Sequence, residues 1–195
     1  MKIEKVCVYL ASSNKSRPEY IEAARQLGTI LAKNKIDIVY GGSSIGCMRH
    51  LADAALENGG RVIGVMPQFL CDLELDHQGL SEMIIVDDMH ERKKKMVENV
   101  DAVISLPGGT GTLEELLEAI TWKRLGILIQ PIILINTNKF FNPLLLLFEQ
   151  MIENNFLDPR HRSMWTVVES PDNVIGAIES APVWSPRAKS FAAIR

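Results

Sequence analysis

Short apolar runs rich in β-branched residues alternate along this chain with longer stretches in which apolar side chains recur at helical spacing. The short runs predict strands at residues 5–10, 37–40, 61–66, 83–86, 102–106, 131–135 and 166–168. The longer stretches predict helices at residues 18–33, 45–58, 89–100, 112–125, 143–154 and 171–180. This alternation is typical of a parallel sheet covered by helices on both faces. We therefore expect an α/β, doubly wound, Rossmann-like fold.

The chain of 195 residues is compatible with one hydrophobic core. We predict a single domain over residues 1–184, followed by a C-terminal tail over residues 185–195 that lacks a strong periodicity. The run PLLLLFEQM at residues 143–151 is too apolar for a helix with a solvated face. This run is expected either deep in the core or at a contact between subunits.

Composition narrows the range of partners. A formal net charge of −3 does not indicate a nucleic-acid partner, and no apolar stretch approaches the ~20 residues of a membrane span. The N-terminus leads directly into a predicted strand and has no signal-peptide pattern. The three cysteines, Cys7, Cys47 and Cys71, form no C-x-x-C pair and are interpreted as small buried residues in a reducing compartment. We expect a cytoplasmic protein without a membrane or nucleic-acid partner.

Two glycine-rich loops each connect a predicted strand to a predicted helix. The first is Gly41-Gly42-Ser43-Ser44, and the second runs from Pro107 to Thr112 with the sequence PGGTGT. Both should lie at the carboxyl edge of one sheet, where helix N-termini present unpaired N–H groups to anions. The dinucleotide fingerprint G-x-G-x-x-G fails from Gly109, because Glu114 stands at the third glycine position. The first loop has the glycine spacing of a P-loop but carries Cys47 in place of its lysine.

Glu115 has two interpretations. Thr112 and Glu115 match the capping box S/T-x-x-E, which would satisfy the first N–H groups of the helix. Alternatively, the carboxylate belongs to a ligand site. A carboxylate beside a phosphate-binding loop repels the phosphate unless it faces a neutral part of the ligand, such as a sugar ring. There it can accept hydrogen bonds from hydroxyls, polarise a water, or stabilise positive charge at an anomeric carbon.

The segment MHERKKKM, residues 89–96, places basic residues in a predicted helix. At 100° per residue, Met89, Met96 and Val100 define the inner face of this helix, whereas Lys94 and Lys95 point to solvent. Arg92 falls at the border of the inner face, so it is either a structural ion-pair partner or an anion ligand. His90 is interpreted as a packing residue rather than a base.

MHERK at residues 89–93, followed after a strand by PGGTGTLEE at residues 107–115, resembles the LONELY GUY family of cytokinin riboside 5′-monophosphate phosphoribohydrolases. The family signatures are M-H-x-R-K and P-G-G-x-G-T-x-x-E. The resemblance extends from the first strand to about Asn142 and includes VYGG and DAALENGGRVIGVMP. It implies hydrolysis of the N-glycosidic bond of a nucleoside 5′-monophosphate to free base and ribose 5-phosphate. It also implies a homodimer. We expect no cofactor and no metal ion.

Carried onto matching positions, the resemblance implies that Arg92 and Glu115 are the catalytic pair, with their individual roles left open. The substrate- and phosphate-binding positions would be Gly42, Ser43, Glu74, Lys93, Gly108, Gly109, Thr110, Gly111, Thr112 and Thr121. The chain departs from the family at Ser43 and Arg49, where glycine is usual, and at Thr110, where plant enzymes usually have an aromatic residue. These departures leave open whether the substrate is AMP or a prenylated adenosine monophosphate.

Two other functions compete with this interpretation. Sequences of this kind often carry the label lysine decarboxylase, which predicts pyridoxal phosphate bound to a lysine. The lysines at 94 and 95 lie on a solvated helical face, and the chain is short for an enzyme of that kind. A non-catalytic module that binds or senses a nucleotide would retain the glycine loops but has no need of Arg92 together with Glu115.

Overall fold

The computed structural model describes residues 2–73 and 75–191 of the chain. Within these residues, seven strands form one sheet: β1 Lys5–Tyr9, β2 Asp37–Tyr40, β3 Val62–Pro67, β4 Glu82–Val86, β5 Ala102–Ser105, β6 Ile132–Ile135 and β7 Thr166–Val168. The spatial order is β4-β3-β2-β1-β5-β6-β7, and every neighbouring pair is parallel. The predicted fold class is confirmed, and each predicted strand lies within one residue of the observed strand at both ends.

The helices are α1 Pro18–Lys33, α2 Gly46–Glu57, α3 Gln68–Cys71, α4 Met89–Met96, α5 Thr110–Arg124, α6 Asn142–Glu153 and α7 Val174–Ser180. The short helix α3 was not predicted. Helix α4 ends before its predicted boundary at residue 100, and Asn99 beyond it adopts a left-handed φ of 56°. Helix α5 begins two residues earlier than predicted, which changes the position of every side chain in its first turn.

Apolar side chains on both faces of the sheet explain why the strands read as continuous hydrophobic runs. In β1, Val6 and Val8 belong to a core cluster shared with α1, α2 and α7, whereas Cys7 and Tyr9 belong to a second cluster on the α4, α5 and α6 side. Side chains alternate between the faces of a strand, so a strand covered by helices on both sides must be apolar throughout.

The chain order of the strands places a crevice beside β1. From β1 the chain proceeds outward to β4 and then returns to β5 on the other side of β1, so the sheet order reverses between these two strands. In open parallel sheets, the loops at the carboxyl ends of the strands separate at such a point and leave room for a ligand. The loops that follow β1, β2 and β5 therefore meet at one edge of the sheet.

The apolar segment at residues 143–151 is not deep core throughout, and the alternative, a contact between subunits, stays a prediction. In α6, Phe148 and Ile152 are buried, but Leu146 is 66% exposed and Leu147 is 45% exposed. Met89 is also exposed rather than facing the inner side of α4, whereas Met96 and Val100 are buried as predicted. Among the helices of the described residues, none has the length and apolarity needed to cross a bilayer.

The described part of the predicted tail packs on the domain. Ala188 of the tail is fully buried in the core cluster on the α4, α5 and α6 side, next to Trp184, whose indole N–H donates to the carbonyl of Lys123 at 2.6 Å. Residues Pro186–Phe191 form a 3-10 turn, and the tail residues 192–195 lie outside the described residues. The domain boundary at residue 184 stays a prediction. Of the cysteines, Cys7 and Cys47 are buried as expected, whereas Cys71 is only partly buried.

Candidate active site

A cavity of about 350 Å³ lies at the carboxyl edge of the sheet, at the reversal point beside β1. Residues from the loop after β1, from both glycine loops and from helices α4 and α5 line it. The lining includes Ser43, Arg92, Gly109, Thr110, Gly111, Thr112 and Glu115. The topology therefore brings most of the predicted site residues into one cavity, although they are separated by up to seventy-two positions in sequence (from 43 to 115).

Glu115 belongs to the cavity and does not cap its helix. Helix α5 has Gly109 as its N-cap, without a side-chain capping bond, and the N–H of Leu113 donates to the Gly109 carbonyl at 3.1 Å. This earlier start puts Thr112 inside the first turn, so the capping-box interpretation was wrong. The Glu115 side chain is 5% exposed and accepts a hydrogen bond from Arg92.

Arg92 is held by contacts with three separate elements. Its Nε donates to the Val65 carbonyl of β3 at 3.0 Å, and its Nη2 donates to the Gly41 carbonyl at 3.3 Å. Its Nη1 lies 3.2 Å from Glu115 Oε1 of α5. The Arg92 side chain is 8% exposed, so the pair is buried and its geometry is fixed by the backbone around it.

The burial of this pair changes the chemistry of the carboxyl group. Burial raises the pKa of Glu115 to about 7, and the Arg92 guanidinium lowers it only in part. Cys7 and Tyr9 lie on the same side of the sheet, and burial raises the pKa values of both groups far above neutrality. Glu115 can therefore gain and lose a proton near pH 7, while its buried neighbours on β1 stay neutral.

The first glycine loop is shaped by the arginine. A Cβ on Gly41 would lie 2.1 Å from Arg92 Nη2, so a larger residue would displace the guanidinium. Gly42 has a φ of +78° and packs against Met83 rather than lining the cavity. Ser43 is buried, lines the cavity, and its carbonyl accepts a hydrogen bond from the Tyr40 hydroxyl at 3.2 Å. Gly41 was not among the predicted site residues, and only its adjacency to the strand could have indicated it.

The second loop contains glycines of two kinds. A Cβ on Gly108 would lie 2.1 Å from Thr112 Oγ1, so Gly108 allows the loop to pack against its own helix. A Cβ on Gly109 or Gly111 meets no protein atom within 4 Å. The protein's own packing therefore does not require glycine at these two positions, although both line the cavity.

The structure does not bring Lys93 or Thr121 into the cavity. Lys93 follows Arg92 by about 100° around the helix, and its buried ammonium group pairs with Glu114 at 2.5 Å and Glu118 at 3.2 Å. Thr121 is exposed and its hydroxyl donates to the Leu117 carbonyl at 2.8 Å, in a separate surface hollow. Glu74 lies outside the described residues, so its position relative to the cavity is not assigned.

One wall of the cavity is apolar and was not predicted. It is formed by Met48, Met66, Leu70 and Leu75. In the sequence these residues look like ordinary core positions, so no motif distinguishes them. Arg49, one of the departures noted above, does not line the cavity; it pairs with Asp53 at the surface.

Fold and site together define an α/β protein of the Rossmann-like class, with a buried acid–arginine pair beside a helix N-terminus. A family model described as possible lysine decarboxylase matches residues 48–178. Cytokinin riboside 5′-monophosphate phosphoribohydrolase LOG7 of Arabidopsis thaliana is 41% identical over 171 residues, covering 88% of this chain and 78% of the relative. The cytokinin riboside 5′-monophosphate phosphoribohydrolase of Rhodococcoides fascians is 42% identical over 163 residues, covering 83% and 82%. The chain belongs to the LONELY GUY family of phosphoribohydrolases.

A similarity in structure supports the fold alone. The molybdenum cofactor binding protein from Rippkaea orientalis superposes with a TM-score of 0.69 over 92% of this chain and 98% of its own, at 24% identity. One arrangement of strands and helices therefore serves proteins whose names describe different ligands.

The raised pKa of Glu115 predicts a specific dependence of stability on pH. Between pH 4.5 and about 7, the folded protein binds a proton that the unfolded chain releases, so this group's contribution to stability is lost as pH rises. Glu115→Gln removes the titration. The free energy of unfolding of this variant relative to wild type, measured with urea, is expected to rise by about 3 kcal/mol across this window.

Glu153→Gln, at an exposed position of α6, is the matched control for the substitution itself. A flat difference for Glu115→Gln would mean that Arg92 keeps the carboxylate ionised throughout.

Proposed function

We propose that this chain hydrolyses the N-glycosidic bond of an N6-modified adenosine 5′-monophosphate, releasing free base and ribose 5-phosphate. The observation that carries the proposal is the buried pair of Arg92 and Glu115, which faces the same cavity as the Gly109–Thr112 loop. The relatives at 41% and 42% identity bear the name of this activity, and the matched region includes both motifs.

The phosphate is assigned to the start of α5. This helix has 15 residues, and its first N–H groups lack carbonyl partners within the helix. Gly109 and Gly111 leave the backbone accessible, because no Cβ projects into the cavity there, and Thr110 and Thr112 supply hydroxyl groups beside it. Monophosphates are therefore expected to bind much more tightly than the corresponding nucleosides.

The ribose and the attacking water are assigned to Glu115. A carboxyl group with a pKa near 7 is well suited to take a proton from water at neutral pH. The water oxygen forms a bond to the anomeric carbon, and the departing base takes the electrons of the broken C–N bond together with the proton that Glu115 took from the water. In its ionised form, Glu115 also stabilises positive charge on the ribose in the transition state.

Arg92 is assigned a different task. Its contacts with the Val65 and Gly41 carbonyls fix the guanidinium, and the guanidinium fixes the carboxylate of Glu115. Its charge also opposes full protonation of that carboxyl group. We assign two roles to Arg92. It orients the Glu115 carboxylate, which acts as the general base, and it compensates charge as the nucleobase departs.

The apolar wall formed by Met48, Met66, Leu70 and Leu75 is assigned to the adenine and its N6 substituent. AMP and a prenylated adenosine monophosphate share every group assigned to the loop and to Glu115. They differ only in the apolar area that would contact this wall. The ratio of the rates for the two substrates therefore measures how much the apolar wall contributes to recognition of the N6 substituent.

The lysine decarboxylase label of the matched family is not adopted. Among the described residues that line the cavity there is no lysine. The buried lysines have partners outside the cavity. Lys93 pairs with two glutamates, and Lys123 donates to the Gln130 carbonyl at 2.6 Å. A cytoplasmic location without a nucleic-acid or membrane partner is part of the proposal and rests on the free cysteines and the modest net charge.

A homodimer is also proposed, through the surface hollow that contains Thr121. Leu117 is 41% exposed and Phe156 is 72% exposed at this hollow. Large exposed apolar side chains in one patch are typical of protein contacts. A second copy seated here would explain why Thr121, at a family ligand position, lies outside its own chain's cavity.

The proposed activity is tested by incubating the protein with AMP and with N6-isopentenyladenosine 5′-monophosphate and measuring free base by chromatography. Glu115→Gln and Arg92→Ala are each expected to lower kcat by about 100-fold or more, since each removes part of the general-base unit. The corresponding nucleosides should release little base. Absence of release from either monophosphate, with tight binding retained, would indicate a nucleotide-binding module instead.

The assignment of the phosphate to the start of α5 predicts that Gly111→Ala makes the protein more stable but weakens its binding of substrate. In a helix, alanine is favoured over glycine by about 0.5–1 kcal/mol, and no protein atom opposes the new Cβ, so the free energy of unfolding should rise. The same methyl group should obstruct the phosphate and raise KM at least about tenfold. Gly176→Ala, in an exposed part of α7 with no atom near the new Cβ, is the control. It should show a similar gain in stability with unchanged KM.

The dimer is tested by sedimentation equilibrium. Phe156→Asp places a charge in the proposed contact and should convert a dimer into a monomer, whereas Val183→Asp, at a position that is 98% exposed outside the hollow, should not. A monomeric wild-type protein at micromolar concentration would contradict the proposal.

A further inference from the structure

Residues 75–77, here called the wall segment, include Leu75 of the apolar wall and do not belong to a regular helix or strand. Leu75 lines the cavity together with Arg92 and Glu115. The wall segment is part of the connection between β3 and β4, which contains only the four-residue helix α3. Something other than secondary structure must therefore hold Leu75 in place.

Backbone hydrogen bonds attach the wall segment to the first glycine loop. The Ser44 N–H donates to the Leu75 carbonyl at 2.8 Å, and the His77 N–H donates to the Gly42 carbonyl at 2.9 Å. Ser43 and Asp76 form an antiparallel bridge between these two contacts. The wall segment and the glycine loop thus form one unit, so movement of either would change the shape of the cavity.

The His77 ring ties this unit to helix α2. Its Nε2 lies 2.8 Å from Asp53 Oδ1, and its Nδ1 accepts a hydrogen bond from the Gly79 N–H at 3.1 Å. Because Nδ1 is an acceptor, the ring proton is on Nε2 and is donated to the carboxylate. The His77 side chain is 12% exposed, so water competes little for this bond.

Asp53 is an ionised acceptor. Burial raises its pKa, but the hydrogen bonds from His77 and Arg49 outweigh that effect and the pKa lies below its ordinary value. The bond from His77 is therefore charge-assisted and stronger than a bond between neutral groups. Arg49 is 63% exposed and contacts only the outer side of this arrangement, at 3.1 Å from Asp53 Oδ2.

We propose that His77 and Asp53 are positioning residues that hold the wall segment, and with it Leu75, against the substrate's base. This inference rests on the proposed function. Neither side chain lines the cavity or contacts Glu115, so both act through the wall segment. Loss of the pair should weaken binding of the base and leave the chemical step at Glu115 largely unchanged.

The test is the kinetics of His77→Ala with N6-isopentenyladenosine 5′-monophosphate. Loss of a buried, charge-assisted hydrogen bond is expected to raise KM about tenfold with kcat within about twofold of wild type. His77→Gln should restore most of the KM, because the glutamine amide nitrogen can reach the position of Nε2 and donate to Asp53. Arg49→Ala, which leaves the His77–Asp53 bond in place, is the control and should leave KM unchanged.

A double-mutant cycle distinguishes positioning from general destabilisation. His77→Ala and Asp53→Ala should each raise KM, and the double variant should be no worse than either single variant, because both remove one interaction. Additive effects, a fall in kcat with KM unchanged, or failure of His77→Gln to restore KM would each overturn the proposal. The His77→Gln variant keeps the test decisive if His77→Ala does not fold.

Failure of the proposed function can be separated from failure of this inference. If wild type releases no base, the Kd of AMP and the amide hydrogen exchange of residues 42–44 and 75–77 are measured instead. Weaker AMP binding and faster exchange in His77→Ala, both restored in His77→Gln, would support the positioning role without the enzyme. Unchanged exchange would overturn it.

Discussion

The contact between Arg92 and Glu115 is the interaction on which the cavity depends. Both side chains are almost fully buried, so neither charge could be accommodated without the other and the carbonyls of Val65 and Gly41. The cost of burying the carboxylate is visible in the pKa of Glu115, which is raised to about 7 even beside a guanidinium. The burial of Glu115 thus lowers stability, and the same burial brings the pKa of its carboxyl group close to neutral pH.

The rest of the site can be understood as the scaffold of that contact. Arg92 joins three elements, and Gly41 is small because a Cβ would occupy the position of the guanidinium. The reversal of strand order beside β1 opens the crevice above the pair, and the start of α5 supplies N–H groups at one end of it. Leu75 of the apolar wall is held by backbone pairing of its segment and by the His77–Asp53 bond. Polar and apolar side chains therefore line one small cavity.

Prediction from the sequence worked where the physical cause is local or periodic. Strands covered on both faces are continuous apolar runs, and β1 to β7 were placed to within one residue. The start of α5 was misplaced by two residues, because Thr112 and Glu115 satisfied the local pattern of a capping box. Tertiary contact decided otherwise, since Glu115 gains a buried partner 23 positions away. The exposed leucines of α6 show the same limit, because apolar composition alone does not say what covers a helix.

The sequence by itself determined the fold class and the two glycine loops, and the resemblance of its motifs to a known family singled out the pair of residues on which the chemistry is proposed to depend. These are properties of periodicity and of short motifs, which do not require knowledge of distant neighbours. Only the tertiary structure decided that Lys93 turns away to Glu114 and Glu118, that Thr121 lies on another surface, and that Met48, Met66, Leu70 and Leu75 form a wall. Which face of a helix meets a cavity depends on residues far away in the chain, and it is fixed only when the elements pack.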